Sequence, residues 1–237
     1  MSNKDLKSIQ IIIPFYNEER NLKILLPKIF LAIKNVKNKV NLILVDDLST
    51  DNSFNCCKRL SKKRKDIKLL KLTKKGKQSG AIKMALKKSQ AEFVITMDSD
   101  LQDDPKYLIN FINKINEGYD LVIGNRIVRK APLLLRFAIK IFDIMCEIYL
   151  GKKLKTYRSP YAAFRSKYIK SLRWHNNDHR YLIPIAISRG AKKCITIDYI
   201  LRQRRFGDTN YNARLKVIMG FFEFTFFLFR LIFGKYK

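Results

Sequence analysis

Histidine, tryptophan and acidic residues are scarce in this chain of 237 residues. It has 2 His and 1 Trp, and its 20 Asp or Glu stand against 49 Lys or Arg. The formal net charge is therefore +29 at pH 7. So large a basic excess favours a polyanionic partner, such as nucleic acid, an anionic membrane surface or a phosphorylated substrate. The alternative is a compositional bias that spreads lysine over the surface without a specific partner.

Cysteine and histidine patterns that would indicate disulfides or zinc are missing too. Cys56 and Cys57 are adjacent, and no C-x-x-C pair occurs, which fits no disulfide framework. His175 and His179 are four residues apart, but no cysteine or acidic residue stands at the spacing of a zinc site. We therefore expect reduced, buried thiols, as in a cytosolic protein.

Low-complexity tracts and a disorder-promoting composition are also absent. The chain has 9 Gly and 6 Pro, and it is 47% hydrophobic and 12% aromatic, which argues against disorder. This composition suffices for one domain with a hydrophobic core. The first eight residues are polar and contain no apolar stretch of the signal-peptide kind, so we expect the N-terminus in the cytosol.

Short apolar runs alternate with amphipathic segments over the first half of the chain. The runs predicted to be strands are residues 10–14, 40–45, 67–72, 93–97 and 120–124. Helices are predicted between them from apolar spacing and from capping residues. This alternation, with short loops, predicts an α/β domain with a mainly parallel central sheet flanked by helices.

Polar clusters follow three of the predicted strands, at residues 16–18, 46–47 and 98–100. Ligands of open α/β sheets bind beyond the carboxyl ends of the strands, so we expect the clusters to form one site. Asp98 and Asp100 can both reach a hard cation, and Mg²⁺ is commonly held by one or two carboxylates with substrate phosphates. For a D-x-D triplet alone, the alternative is a solvated acidic turn before the next helix.

Six motifs extend these clusters over nearly the whole chain. They are IIIPFYNEERNL at 11–22, LVDDLSTDNS at 44–53, VITMDSDLQDDP at 94–105, GNR at 124–126, AFRSKY at 163–168 and RRFGDTNYN at 204–212. With these motifs the chain resembles the family-two glycosyltransferases of the GT-A fold. Within that family it is most similar to the polyprenyl-phosphate (dolichyl-phosphate) mannose and glucose synthases.

The resemblance implies a nucleotide-sugar donor, with UDP favoured over GDP, and a bound Mg²⁺ or Mn²⁺. The residues it places at the donor are Pro14, Tyr16, Glu18, Val45, Asp47, Asp98 and Ser99. The metal would be held by Asp100 and Gln102. Arg126 and Arg204 would contact the diphosphate or the acceptor phosphate, and with Asp98 and Asp100 they complete the implied catalytic set. Arginine suits this role because its planar fork pairs with phosphate oxygens.

On the acceptor side the resemblance implies Arg165, Arg205 and Asn210, and here the chain departs from the family pattern. The loop at 156–160 lacks the usual acidic residue, and Asn210 stands where lysine is usual. A third departure is Leu48, where a small residue is usual.

The acceptor decides whether a base is needed. A sugar hydroxyl requires a general base, for which the candidates are Asp103, Asp104 and Asp178. A phosphate monoester, with a second pKa of about 6, is already ionised. Because no histidine lies near the metal motif, a lipid-phosphate acceptor and a single inverting displacement are favoured.

A long apolar segment at 132–150 bears on a lipid acceptor. Its polar residues Arg136, Lys140, Asp143 and Glu147 form one narrow stripe on a helix. The segment is either a core helix with a thin solvent-facing stripe or an interfacial helix lying among lipid headgroups. The resemblance favours the second, because the segment matches the interface region of the family.

A second apolar segment at 215–233 has Lys216, Glu223 and Arg230 on one stripe. A spanning helix needs about 20 mostly apolar residues, and a charge such as Glu223 in mid-bilayer costs roughly a few kcal/mol. We therefore predict a helix that docks on a membrane surface or on a partner. A basic excess also favours docking on anionic lipid.

We accordingly divide the chain into a catalytic domain at 1–212 and a membrane-associating C-terminal helix at 213–237, at the cytoplasmic face of the membrane. The predicted partners are the nucleotide-sugar, polyprenyl phosphate, an anionic membrane surface and a further membrane subunit. One alternative is a family-two enzyme that adds sugar to a glycan hydroxyl in polysaccharide synthesis. A more remote one is a basic nucleic-acid-binding module, although no fold motif for nucleic acid is recognised and we expect no nucleic-acid partner.

Overall fold

The computed structural model describes residues 6–127, 133–175, 177–203 and 213–236, with the backbone alone at 133–135, 213–219 and 221. Seven strands form one sheet. They are β1 (Ile9–Phe15), β2 (Val40–Asp46), β3 (Ile67–Lys71), β4 (Phe93–Thr96), β5 (Leu121–Ile127), β6 (Ala162–Arg165) and β7 (Cys194–Ile200). Their order is β3-β2-β1-β4-β6-β5-β7, and β6 runs antiparallel to both of its neighbours.

Helices cover both faces of the sheet. They are α1 (Glu19–Ile33), α2 (Ser53–Lys63), α3 (Lys77–Lys88), α4 (Leu108–Asn116), α5 (Leu133–Leu150), α6 (Leu182–Ser188) and α7 (Ala213–Ile232). Helices α1, α2 and α4 pack on one face, and α3, α5, α6 and α7 on the other. The predicted α/β domain with a mainly parallel sheet is confirmed.

The apolar run of β1 shows why this sheet is buried on both sides. Ile11 and Ile13 face the layer of α1 and α4, whereas Ile12 faces the layer of α3. All three are fully buried. Because successive side chains of a strand point to opposite faces, a strand between two helical layers must be apolar at every position.

Helix α7 packs into the hydrophobic core on the side of the sheet that α3, α5 and α6 cover. The ring of Phe227 stacks on Tyr181 at 4.1 Å between centroids, and Phe224 contacts Phe142 of α5 at 4.6 Å. The predicted helical character of the segment is therefore correct. The division of the chain at residue 212 stays a prediction, although the described part of α7 packs closely on the domain.

Asp143 of α5 and Glu223 of α7 are turned towards the protein, whereas Arg136 and Lys140 of α5 are exposed. Asp143 accepts a hydrogen bond from the backbone N–H of Tyr157 at 2.9 Å. Glu223 accepts 2.7 Å bonds from Asn177 and Arg180. For Asp143 the alternative of a thin solvent-facing polar stripe is thus wrong. Among the described residues, no helix combines the length and apolarity needed to cross a bilayer.

Candidate functional site

The three predicted polar clusters meet at the carboxyl edge of the sheet. They follow β1, β2 and β4, which are neighbouring parallel strands, so their loops project from one edge. The loops border a cavity of about 250 Å³. Its lining residues are Pro14, Phe15, Tyr16, Glu18, Asp47, Lys77, Gln78, Ala81, Asp98, Ser99 and Asp100.

Asn17 ties the loop after β1 to the loop after β2. Its side-chain oxygen accepts from the backbone N–H of Thr50 at 2.8 Å, and its amide donates to the hydroxyl of Thr50 at 3.0 Å. The backbone N–H of Glu18 donates to the hydroxyl of Ser53 at 2.8 Å. These bonds hold the first two clusters in a fixed relation before any ligand binds.

The loop after β3 closes the other side of the cavity. The backbone N–H of Gly76 donates to Asp47 at 2.7 Å. A Cβ at Gly76 would lie 3.0 Å from the Cα of Gly80, so the close approach needs glycine. Lys75 lies over the ring of Tyr16 and donates to its hydroxyl at 2.9 Å, a bond that lowers the pKa of Tyr16.

Strained backbone is concentrated at this edge. Four of the six non-glycine residues with positive φ in the described chain lie there; they are Asn17, Leu48, Lys77 and Leu101. For leucine this conformation costs roughly 1–2 kcal/mol relative to the right-handed region. Backbone strain of this kind gathers at ligand sites, where the surrounding structure enforces it.

Asp98 is held by two side chains from other elements. Gln78 of α3 donates to its Oδ1 at 2.6 Å, and Arg126 of β5 donates to its Oδ2 at 3.4 Å. Burial raises the pKa of Asp98 to about 7, and the nearby charge of Asp103 adds to that rise. Ionisation of Asp98 in the folded protein therefore costs free energy. A bound cation or an added hydrogen-bond donor would lower this cost.

This cost predicts a pH-dependent gain in stability for Asp98→Asn. The folded pKa lies above the usual 3.8, so the folded wild type retains a proton that the unfolded chain loses. Wild-type stability should fall relative to the variant from about pH 4 to pH 7 and then level off, by roughly 2–4 kcal/mol. Denaturant unfolding in metal-free buffer at pH 4.5, 6 and 8 measures the difference, and a pH-independent difference would contradict it.

Asp100 and Gln102 follow Asp98 on a turn that passes through Leu101. The backbone N–H of Gln102 donates to Asp100 at 3.1 Å, and the carbonyl of Gln102 accepts from Arg202 at 3.0 Å. In the described chain no three His, Cys, Asp or Glu side chains form a metal-binding group. The oxygen donors of Asp100 and Gln102 suit Mg²⁺ or Mn²⁺ when substrate phosphates supply further ligands, as Mg²⁺ sites commonly do.

Arg126 lies behind Asp98 in a buried polar cluster. Its Nη2 donates to both oxygens of Asp103, at 3.0 and 3.1 Å, and its Nε donates to the hydroxyl of Tyr199 at 2.8 Å. The same hydroxyl donates to Asp103 at 2.5 Å. Arg126, the arginine expected to bind phosphate, thus contacts the cavity-lining residue Asp98 but does not itself line the cavity.

Two of the expected site residues lie elsewhere. Val45 is fully buried in the core and does not line the cavity. Arg165 pairs with Glu92 at 2.6 Å and Asp120 at 2.8 Å. It pairs with Phe93, the first residue of β4, and therefore lies at the amino edge of the sheet. The five residues from Phe93 to the cavity-lining Asp98 span about 16 Å at the usual rise per residue of a strand.

Three further residues of the expected site, Arg204, Arg205 and Asn210, lie outside the described residues. The described chain before them ends beside the site, because Arg202 binds the carbonyl of Gln102 and its guanidinium pairs with Asp104.

The position of Arg165 predicts a structural rather than an acceptor-binding role. Arg165→Met should lower the free energy of unfolding by about 1–3 kcal/mol, because it breaks two charge-assisted bonds and leaves Asp120 without its guanidinium partner. Acceptor KM should not change. Urea unfolding and acceptor titration check the two parts, and a raised acceptor KM with normal stability would restore the acceptor role.

Three residues at the site were not predicted from the sequence, namely Lys75, Gln78 and Tyr199. They contact the predicted site residues Tyr16, Asp98 and Arg126 in turn. The two glycines Gly76 and Gly80, shortly after the predicted strand at 67–72, are a signal that could have identified Lys75 and Gln78. No local signal marks Tyr199, because its partner Asp103 is 96 residues away.

Comparison with protein families and curated proteins finds a matching family model and related curated proteins. The family model described as Glycosyl transferase family 2 matches residues 10–173. An undecaprenyl-phosphate 4-deoxy-4-formamido-L-arabinose transferase of Pectobacterium carotovorum subsp. carotovorum is 31% identical over 215 residues. The match covers 90% of this chain and 65% of that protein, so the chain spans less than two thirds of the relative.

Solved structures match over most of the chain at low sequence identity. A glucosyl-3-phosphoglycerate synthase from Mycobacterium tuberculosis, in complex with Mn²⁺, UDP and glucosyl-3-phosphoglycerate, has a TM-score of 0.68 at 15% identity and covers 98% of this chain and 81% of that chain. A mannosyltransferase from Pyrobaculum calidifontis, in complex with GDP-Man and Mn²⁺, has a TM-score of 0.65 at 17% identity, with coverages of 90% and 61%. At these identities the likeness concerns the fold.

Proposed function

Because the chain belongs to glycosyl transferase family 2 and has the GT-A fold of its solved neighbours, we propose that it moves a sugar from a nucleotide-sugar to a polyprenyl phosphate. The transfer uses Mg²⁺ or Mn²⁺ and inverts the anomeric carbon. The observation that carries the proposal is the cavity at the carboxyl edge of β1, β2 and β4, where Asp47, Asp98 and Asp100 converge.

The donor side of the proposal rests on the chemistry of this cavity. One oxygen of Asp47 accepts from the backbone N–H of Gly76, and in the proposed complex the other would accept from a nucleobase N–H. Asp100 and Gln102 would hold the metal against the diphosphate, and the metal would neutralise the charge on the departing nucleoside diphosphate. Neighbours crystallised with Mn²⁺ and either UDP or GDP-Man support this class of donor.

The proposed phosphate acceptor rests on whether a carboxylate is available as a general base. Asp103 is fully buried and bound by Arg126 and Tyr199. Asp104 is paired with Arg202, and Asp178 accepts from Tyr236 on the α7 side of the sheet. None of the three candidate bases is therefore free to take a proton at the cavity. An ionised phosphate needs no base, and the curated relative acts by name on undecaprenyl phosphate.

One observation favours a second candidate acceptor. Asp98 lines the cavity, where a carboxylate can act as the general base for a sugar hydroxyl. If Asp98 takes the proton of a sugar hydroxyl, the product is a glycan rather than a lipid-linked sugar. The assay described below separates the two products.

An apolar surface on α5 and α7 supports docking on a membrane. Of the sixteen exposed large apolar side chains in the described chain, six lie on α5 and five lie on or directly after α7. The α5–α7 face, as we name it, is formed by Phe137, Ile141, Ile144, Met145, Ile148, Tyr149, Phe222, Phe226, Phe229, Ile232 and Phe233. Exposed apolar side chains concentrated on two neighbouring helices suit an interaction site, and Arg136 and Lys140, which are exposed on α5, suit anionic headgroups.

The proposal is tested by supplying purified protein with radiolabelled UDP- and GDP-sugars, Mn²⁺ and polyprenyl phosphate in vesicles. We expect label in an organic-extractable lipid that releases free sugar in mild acid. Omission of Mn²⁺ with added chelator should abolish the signal. Label found only in a water-soluble glycan, with none in the lipid fraction, would overturn the acceptor assignment in favour of a hydroxyl.

A further inference from the structure

We propose that Asp103 and Tyr199 are positioning residues that hold Arg126 towards the β-phosphate of the donor. The inference rests on the proposed donor and adds two residues to its site. It comes from a buried polar cluster in which Arg126 donates to the cavity-lining residue Asp98.

The cluster fixes the guanidinium of Arg126 on two sides. Its Nη2 is shared between the two oxygens of Asp103, and its Nε donates to Tyr199. Tyr199 in turn donates to Asp103, which closes a ring of three side chains. In the described part of the chain, Nη1 of Arg126 makes no hydrogen bond, so the ring leaves one edge of the guanidinium for a ligand.

Both positioning residues are inaccessible to a ligand. Asp103 is fully buried, and Tyr199 is 1% exposed. Arg126 keeps 26% of its side chain exposed. Asp103 and Tyr199 therefore act through Arg126, and only the arginine can touch the donor.

The surrounding backbone is shaped to admit Tyr199. Tyr199 comes from β7 at the sheet edge and lies against Gly124 of β5. A Cβ at Gly124 would come within 2.7 Å of the Tyr199 ring and 2.8 Å of the carbonyl of Tyr161. Gly124 of the GNR motif thus leaves room for the ring of Tyr199, whose hydroxyl holds Arg126 of the same motif.

The physical gain is preorganisation. A free arginine side chain has many rotamers, and ordering it on binding costs affinity and rate. A guanidinium already fixed beside Asp98 meets the diphosphate without that cost, and its charge acts where negative charge grows as the nucleoside diphosphate departs.

The test compares two tyrosines that touch each other in this core. Tyr199→Phe removes the hydroxyl that holds Arg126. Tyr161→Phe removes a buried hydroxyl that makes no hydrogen bond with described residues, and the two rings are 5.5 Å apart. We expect Tyr199→Phe to lower the affinity for UDP or GDP, measured with Mn²⁺ by calorimetry, about tenfold while the affinity for UMP or GMP stays unchanged. Tyr161→Phe should change neither.

The same variants are then assayed for transfer. Tyr199→Phe should lower kcat about tenfold with little change in acceptor KM, and it should add no further loss in an Arg126→Lys background, because both changes act on one group. Equal losses for mono- and diphosphates, losses shared by Tyr161→Phe, or additive losses with Arg126→Lys would overturn the inference. Failure of the proposed function would instead appear as absence of transfer in the wild type, with the nucleotide-binding comparison still deciding the role of Tyr199.

Discussion

Asp100→Asn is expected to reduce sugar transfer by about a thousandfold, the loss typical when a group that stabilises transition-state charge is removed. Asparagine keeps the size and one oxygen of aspartate but removes the negative charge that would bind the metal. Without the metal, the departing diphosphate would lose its main counter-charge. The effect should appear in kcat and in Mn²⁺ affinity together.

The fold should survive this change, because Asp100 lies on the loop after β4 and is outside both hydrophobic cores. A matched control is Asp66→Asn, which makes the same change of charge. Asp66 pairs with Arg64 on the surface before β3, and breaking such an exposed pair costs at most about 1 kcal/mol. Transfer rate, Mn²⁺ titration and thermal unfolding are measured on both variants.

Mn²⁺-dependent transfer within tenfold of the wild type in a folded Asp100→Asn variant would contradict the metal assignment. Loss of transfer through unfolding would contradict the expected survival of the fold, and thermal unfolding detects it. If Asp98→Asn lost Mn²⁺ affinity in place of Asp100→Asn, the metal would belong to Asp98, and the bonds from Gln78 and Arg126 would have to rearrange when the donor binds.

The cavity at the carboxyl edge of the sheet could be predicted because the signals are local. An apolar run predicts a buried strand, and a polar cluster at its end predicts where the loop leaves the sheet. Asp47 and Asp98 were found in this way, and the structure brings both to the cavity. The topology supplies the rest, since β1, β2 and β4 are adjacent and parallel.

The position of Arg165 could not be predicted from such local signals. The motif AFRSKY places it in sequence, but only the direction of its strand decides which edge it reaches. Because β6 runs antiparallel to β4, its last residue lies at the amino edge, where Glu92 and Asp120 bind it. A four-residue strand has too short a pattern to reveal its direction.

The amphipathic helices show a second limit. A stripe of charges on an apolar helix is the same pattern whether it faces water or the protein. In α7 the described stripe faces inward, since Glu223 binds Arg180 and Arg230 donates to Tyr236 at 2.9 Å. Buried polar groups need such partners, and these partners come from parts of the chain that sequence spacing does not connect.

Because the charged stripe faces the protein, apolar side chains of α7 face outward on the α5–α7 face. Their removal is the second change from which we expect a large effect, on membrane binding. Phe226→Ser with Phe229→Ser should lower binding to anionic vesicles by about 100-fold, because inserting each phenylalanine into the lipid interface contributes roughly 1.5 kcal/mol or more. Their side chains are 65% and 57% exposed, so their removal leaves the core intact. Vesicle co-sedimentation across lipid concentrations measures the change.

A matched control removes two exposed apolar residues from the opposite face of the sheet. Leu31 on α1 is 74% exposed and Ile109 on α4 is 39% exposed. Leu31→Ser with Ile109→Ser should bind vesicles as the wild type does. If the control loses as much binding, the attraction is diffuse and comes from overall hydrophobicity and charge rather than from α7.

The salt dependence of binding separates the two contributions to docking. Attraction of lysine and arginine to anionic lipid is screened within about 8–10 Å at physiological ionic strength, whereas insertion of aromatic rings is not. Wild-type binding should therefore weaken but persist in 0.5 M salt, and the double phenylalanine variant should lose its remaining binding there. Complete release of the wild type by salt would show that the α5–α7 face does not enter the lipid, and the exposed rings would then have to be covered by a protein partner.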